Sequence, residues 1–180
     1  MRIIAGFARG MPLVVPRGQV RPTADRVREA IFSSLGERVV GAVVLDLFAG
    51  SGALGLEAAS RGAAAVTFVE TCAGALGALR KNIAAIRRYP DMACVLRVLR
   101  EDVFRLPAFG ETFTLIFADP PYGDAAQRLL AVRLPLASDG LLVLESARRT
   151  PLEAGGIWTV EREAVYGDTR VSFLRRAEAG

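Results

Sequence analysis

The chain has 180 residues, 52% of them hydrophobic and 23% charged, with no histidine, two cysteines and a formal net charge of +4. This suits one globular domain with a real core; it excludes a disordered chain, any Ser-His-Asp or Cys-His nucleophile and any histidine metal ligand. Residues 1–40 hold seven arginines against three acids, a surplus equal to the net charge of the whole chain, so a basic N-terminal lobe facing a polyanion such as nucleic acid is expected.

The opening MRIIAGFARG has no signal-peptide core, and no apolar run approaches the roughly 20 residues that span a bilayer. Cys72 and Cys94 are too far apart for a CxxC pair. A cytoplasmic protein without metal or membrane contact is expected. Residues 2–5 and 12–16 read as a hairpin or two edge strands, with Pro12 and Pro16 suited to an edge. Thr23 can cap a helix over about 23–36, whose apolar face is Val27, Ala30, Ile31 and Leu35. Arg26 and Arg28 are expected to point away from that face. Residues 1–40 would form this basic lobe, packed on a core of 41–180.

From residue 43 strands and helices alternate. Strands are predicted at 43–48, 64–70, 93–99, 112–118 and 140–146. Helices are predicted at 54–61, 73–88 and 125–134. Such alternation implies right-handed βαβ units and a parallel sheet. Two last strands, 158–166 and 170–176, meet at Gly167-Asp168 and should be antiparallel.

The turn Asp46-Leu-Phe48-Ala-Gly50-Ser51-Gly52-Ala-Leu-Gly55 is a G-x-G-x-x-G between a strand and a helix. Its glycines permit a tight turn and close backbone approach to a ligand. Glu70 follows the next strand, where a carboxylate can accept from both ribose hydroxyls of an adenosine. Asp46 would repel a pyrophosphate but suits a cation. It therefore favours S-adenosylmethionine, with its sulfonium and ammonium, over a dinucleotide. Asp102 is placed to accept from the adenine amino group, and Val103 to cover the ring. Cys72 is expected to pack.

Asp119-Pro120-Pro121-Tyr122 ends the fourth strand. Two prolines make that turn rigid, at the sheet edge where open α/β folds bind ligands. The Asp119 carboxylate and Pro120 carbonyl form two acceptors for one amino group, and Tyr122 offers a stacking face. Two acceptors localise the lone pair of an exocyclic nitrogen and aim it at a methyl carbon. The product nitrogen sheds its proton easily, so no strong base is needed.

These residues carry a family resemblance. The chain resembles the class I, S-adenosylmethionine-dependent methyltransferases, most of all the bacterial 16S ribosomal RNA guanine-N2 methyltransferases of the RsmD type. The matching runs are Arg2–Gly6, Arg9-Gly10, RPTADRVRE at 21–29, DLFAGSGALGLE at 46–57, Asp119–Tyr122, Leu144-Glu145-Ser146 and Tyr166–Thr169. The resemblance implies a Rossmann-like, mostly parallel seven-stranded sheet with an antiparallel C-terminal strand, preceded by a hairpin and helix. It implies methylation of a guanine 2-amino group in small-subunit ribosomal RNA, in the assembled subunit and by a monomer. Asp46, Phe48, Gly50, Ser51, Gly52, Glu70, Asp102 and Val103 would bind the cofactor. Asp119, Pro120, Pro121 and Tyr122 would hold the base, and Arg2, Arg9, Arg17, Arg21 and Arg26 the RNA. A DNA adenine-N6 methyltransferase would use the same four-residue turn, but 180 residues leave no room for a separate target-recognition domain. A non-catalytic RNA-binding assembly factor and a nicotinamide oxidoreductase are the other classes; Asp46 and Asp119 argue against the last.

Overall fold

The computed structural model describes residues 1–16, 24–121 and 123–177. Its centre is a seven-stranded sheet of order β3-β2-β1-β4-β5-β7-β6. The strands are β1 (Val43–Leu47), β2 (Ala65–Val69), β3 (Val95–Leu99), β4 (Phe113–Ala118), β5 (Leu136–Ala147), β6 (Trp158–Tyr166) and β7 (Thr169–Arg176). The first five pair in parallel, and β7 runs antiparallel between β5 and β6. The helices are α1 (Ala24–Leu35), α2 (Ala53–Ser60), α3 (Ala73–Ile86) and α4 (Ala125–Leu130). This is the Rossmann-like class I arrangement expected above.

Strand alternation splits the core in two. On one face Val44, Phe117, Leu141 and Val143 pack with Phe32 of α1, Leu56 of α2 and Leu79 of α3. On the other, Leu45, Leu47, Ile116 and Leu144 pack with Leu129 of α4 and Trp158. Trp158 satisfies its indole N–H on the Leu130 carbonyl at 2.8 Å.

Some bounds differ from expectation. α4 stops at Leu130 rather than 134, because the chain turns back through Val132 N–H to Leu129 O and Pro135 follows. β5 begins at Leu136 rather than 140, since Leu136 pairs with Phe113 ahead of a register irregularity.

The N-terminal hairpin is narrower than a ladder. A single bridge joins Arg2 to Pro12, flanked by Ile3 N–H to Met11 O at 2.9 Å and Leu13 N–H to Met1 O at 3.0 Å. The amides of Ile4 and Ala5 go instead to the two carboxylate oxygens of Glu57, at 2.7 and 3.0 Å. Glu57 lies fully buried in α2 and also takes Arg61 Nε at 2.7 Å. Ser60, one turn on, donates to Ala5 O and accepts from Ala8 N–H. The hairpin crosses so close that a Cβ on Gly6, at φ +82°, would lie 1.8 Å from the Ser60 carbonyl oxygen; only glycine serves there.

Arg28 departs from the expectation that it points away from the apolar face. It is 3% exposed. Its guanidinium donates to the Arg2 carbonyl and to Asp25 at 3.1 Å, and its Nε lies 3.6 Å from Glu57. A buried carboxylate needs cationic partners, and Arg28 of α1 joins Arg61 in that role.

Candidate functional site

Three neighbouring strands end together. Leu47 pairs with Val69 on one side and with Ala118 on the other, so Phe48, Glu70 and Asp119 are the first residues beyond β1, β2 and β4. The glycine loop springs from this edge. Phe48 holds the left-handed backbone at φ +56°, a costly conformation for a bulky residue and one that marks functional turns. Gly50 and Gly52 share that region. A Cβ on Gly52 would lie 2.4 Å from Leu79 Cδ1, while at Gly50 the nearest atom would be 3.9 Å away. A side chain at Gly52 would have to hold a left-handed backbone and displace Leu79, whereas one at Gly50 would meet open space.

Glu70 straps this loop. One carboxylate oxygen accepts from Gly50 N–H at 2.8 Å, and the other from Thr71 and Cys72 N–H, both at 2.8 Å. A carboxylate has about four acceptor positions, so capacity for a hydroxyl donor remains. Cys72 caps α3 with an exposed side chain and does not pack as expected, because the chain turns outward to bring those amides onto Glu70.

Asp46 is 2% exposed and accepts from Gly55 N–H at 2.9 Å, tying strand to helix. Burial pushes its carboxyl up to about 8; the Gly55 bond opposes this, and the charges of Asp119 and Glu70 reinforce it. The carboxylates at this edge therefore sense one another.

Asp102 caps the short 3₁₀ turn Val103–Arg105, accepting from Phe104 N–H at 2.9 Å. Val103 is buried among the core residues of the α4 face, at 3% exposure. Phe104, which the sequence reading missed, stands 5.9 Å from the Phe48 ring, with the Arg128 guanidinium 4.2 Å from its centroid. Ser51 is buried, and its carbonyl accepts from Asn82 of α3 at 2.9 Å. Asn82 also exchanges two hydrogen bonds with the backbone of Val14. Sequence reasoning missed this link between hairpin and glycine loop, because its partners lie 68 and 31 residues away.

Beyond β4, Asp119 and Pro121 are exposed and Pro120 is buried. These three line a cleft with Gly123, Glu145 and Thr169. Arg2, Arg9 and Arg26 are exposed. Tyr122, Arg17, Arg21 and the Thr23 cap lie outside the described residues.

The profile of the family described as Conserved hypothetical protein 95 matches residues 1–175. The Ribosomal RNA small subunit methyltransferase D of Escherichia coli strain K12 is 36% identical over 187 residues, covering 100% of this chain and 92% of that protein. Its namesake from Haemophilus influenzae is 35% identical over 172 residues, 93% and 89% of the two chains. A solved Thermus thermophilus 16S rRNA guanine-N2 methyltransferase, in complex with AdoMet and guanosine, superposes with a TM-score of 0.69 at 27% identity, over 89% of this chain and 44% of that one.

Proposed function

The chain belongs to the Conserved hypothetical protein 95 family, that of the RsmD-type methyltransferases, and from that premise we propose that it methylates the 2-amino group of a guanine in small-subunit ribosomal RNA, with S-adenosylmethionine as donor. One observation carries the reading. The glycine loop with its strapped Glu70 and the rigid Asp119-Pro120 turn leave the same sheet edge, from adjacent strands, with acids in mutual electrostatic reach.

The donor set fits this cofactor. The charges acting on Asp46 are those of Asp119 and Glu70, both acidic, so the pocket suits a cation and repels a pyrophosphate. S-adenosylmethionine, when bound, supplies a methyl group on a positively charged sulfur. Glu70 would hold the ribose, Gly50 the backbone-facing side, Phe48 and Ser51 the loop shape, and Asp102 with Val103 the adenine side. Asp119 and the Pro120 carbonyl would accept from the target amine, Pro121 would fix the turn, and Tyr122 would stack on the base. The base must be unpaired to enter. A tritiated-methyl assay on small subunits from a strain lacking the gene, followed by nucleoside analysis, tests this. N2-methylguanosine is the expected product; N6-methyladenosine or no transfer refutes the reading.

Asp46 makes cofactor affinity depend on pH. With its carboxyl near 8 in the free protein, a bound cation favours the ionised form and expels a proton. Affinity should rise with pH up to about 8 and then level off. Because the ligand's own ammonium titrates, the measure is the ratio of wild-type to Asp46→Asn affinity by calorimetry between pH 6 and 9. A flat ratio would disprove the coupling. Folding shows the opposite trend. A raised carboxyl pKa stabilises the fold below the unfolded value of 3.8, and that contribution is lost as pH rises to about 8. Asp46→Asn should therefore raise Tm at pH 8 more than at pH 5.

The exposed arginines would meet the RNA backbone. Removing the charges of Arg9 and Arg26 together should lower the slope of log K against log salt by about 2. Arg28, already committed to Glu57, is not part of that set. A slope equal to wild type would remove these residues from the interface.

A further inference from the structure

The cleft beside Asp119 has a second wall that the amine-gripping turn does not use. Ala118 of β4 pairs in parallel with Leu144 of β5, the last pair of that ladder, and the next residues, Asp119 and Glu145, line one cleft. Strand alternation puts Glu145 on the face of Val143. Glu145 lines the cleft. Ser146, next to it, also lines the cleft, and its hydroxyl is buried without a hydrogen-bond partner among the described residues. A buried polar group left unsatisfied at a cleft wall calls for a polar partner there.

We propose that Glu145 is a specificity-determining residue that reads the N1–H of the target guanine; this rests on the guanine-N2 reading above. If Asp119 and the Pro120 carbonyl take the two amino hydrogens, the next group along the same edge of the base is N1. In guanine N1 is a donor, which a carboxylate accepts. In adenine the atom beside the amino group is an acceptor, and a carboxylate repels it. The meeting of Asp119 and Glu145 in one cleft thus matches two donors in a row, the pattern of guanine and not of adenine. The turn alone would grip either amine.

The test uses 2-aminopurine, which keeps the 2-amino group but has a bare N1 acceptor. Small subunits are reconstituted with 16S RNA carrying guanosine or 2-aminopurine at the nucleotide identified by the methylation assay. Methyl transfer by the full-length protein is then compared for the two. The wild type should favour guanosine by about ten- to a hundredfold in kcat/KM. Glu145→Gln can donate its amide to a bare N1, so that ratio should fall at least about tenfold, with cofactor affinity unchanged. A loss of packing alone would slow both substrates equally and leave the ratio untouched. A wild-type preference below threefold overturns the proposal without any variant, and so does an unchanged ratio in Glu145→Gln. No transfer to guanosine by the wild type would overturn the guanine-N2 reading itself, and the proposal with it.

Discussion

Asp119→Ala should lower methyl transfer at least about a thousandfold while weakening cofactor binding no more than about threefold. The two effects separate because, in the proposed reaction, Asp119 would face two ligands in different ways. Towards the substrate it is an exposed carboxylate on a turn stiffened by Pro120 and Pro121. An exocyclic nitrogen is nearly planar and reacts only when its hydrogens are held and its lone pair is aimed, so losing one of two acceptors removes orientation and charge stabilisation together. Towards the cofactor side Asp119 acts through its field on Asp46, whose carboxyl it helps to raise. Its removal takes one negative charge from the edge but also lets Asp46 ionise more readily, and these changes oppose each other for a cationic ligand. Asp119→Asn keeps one acceptor oxygen and should lose less rate than the alanine variant. Single-turnover rates and calorimetric affinities of both variants decide the matter. An equal loss of rate and cofactor affinity would show that Asp119 belongs to the cofactor site instead.

The parts of this site that local pattern can reveal were legible, and those made by distant partners were not. The bounds of β1, β2, α1 and α3 fall within about two residues of expectation, because each is an apolar run or a helical periodicity closed by glycine or proline. The glycine loop was readable because a strand, a tight turn and a helix start must adjoin in sequence. Arg28 was misread because helical periodicity counts a charged residue as a solvent-facing one. It cannot register that a carboxylate 29 positions later waits inside the protein. Glu57 stood in view as the last letter of DLFAGSGALGLE, but its partners Ile4 and Ala5 lie 53 and 52 residues away, and backbone amides have no sequence signature. Asn82 is the same case. The meeting of Asp119 and Glu145 in one cleft needed the pairing of β4 with β5, which only the folded sheet supplies.

Glu57→Ala should destabilise the protein by about 3–5 kcal/mol, a Tm loss on the order of 10 °C for a chain of this size. The variant removes four interactions at once, because both carboxylate oxygens are used and the residue is fully buried. Two backbone amides lose their acceptor. Arg28, itself 3% exposed, loses one of its two carboxylates and keeps Asp25 at 3.1 Å. A buried cation left with half of its compensation and two backbone amides left without an acceptor place this change well above an ordinary surface substitution. Glu57→Gln keeps the shape and one acceptor oxygen, but in either orientation sets its amide against a backbone N–H and an arginine. It should fall between wild type and alanine. The loss should start locally. Hydrogen exchange at Ile4, Ala5 and Ala8 should accelerate before that of β1 and β4, since Glu57 and Ser60 are what fasten the hairpin to α2. A loosened hairpin carries Arg2 and Arg9 with it and slackens the Val14–Asn82–Ser51 link to the glycine loop. RNA affinity and cofactor affinity should therefore weaken together in Glu57→Ala, although Glu57 faces neither ligand. A variant with wild-type Tm and unchanged exchange at those three amides would mean that the hairpin is held by its apolar contacts through Ile3, Met11 and Leu13 alone.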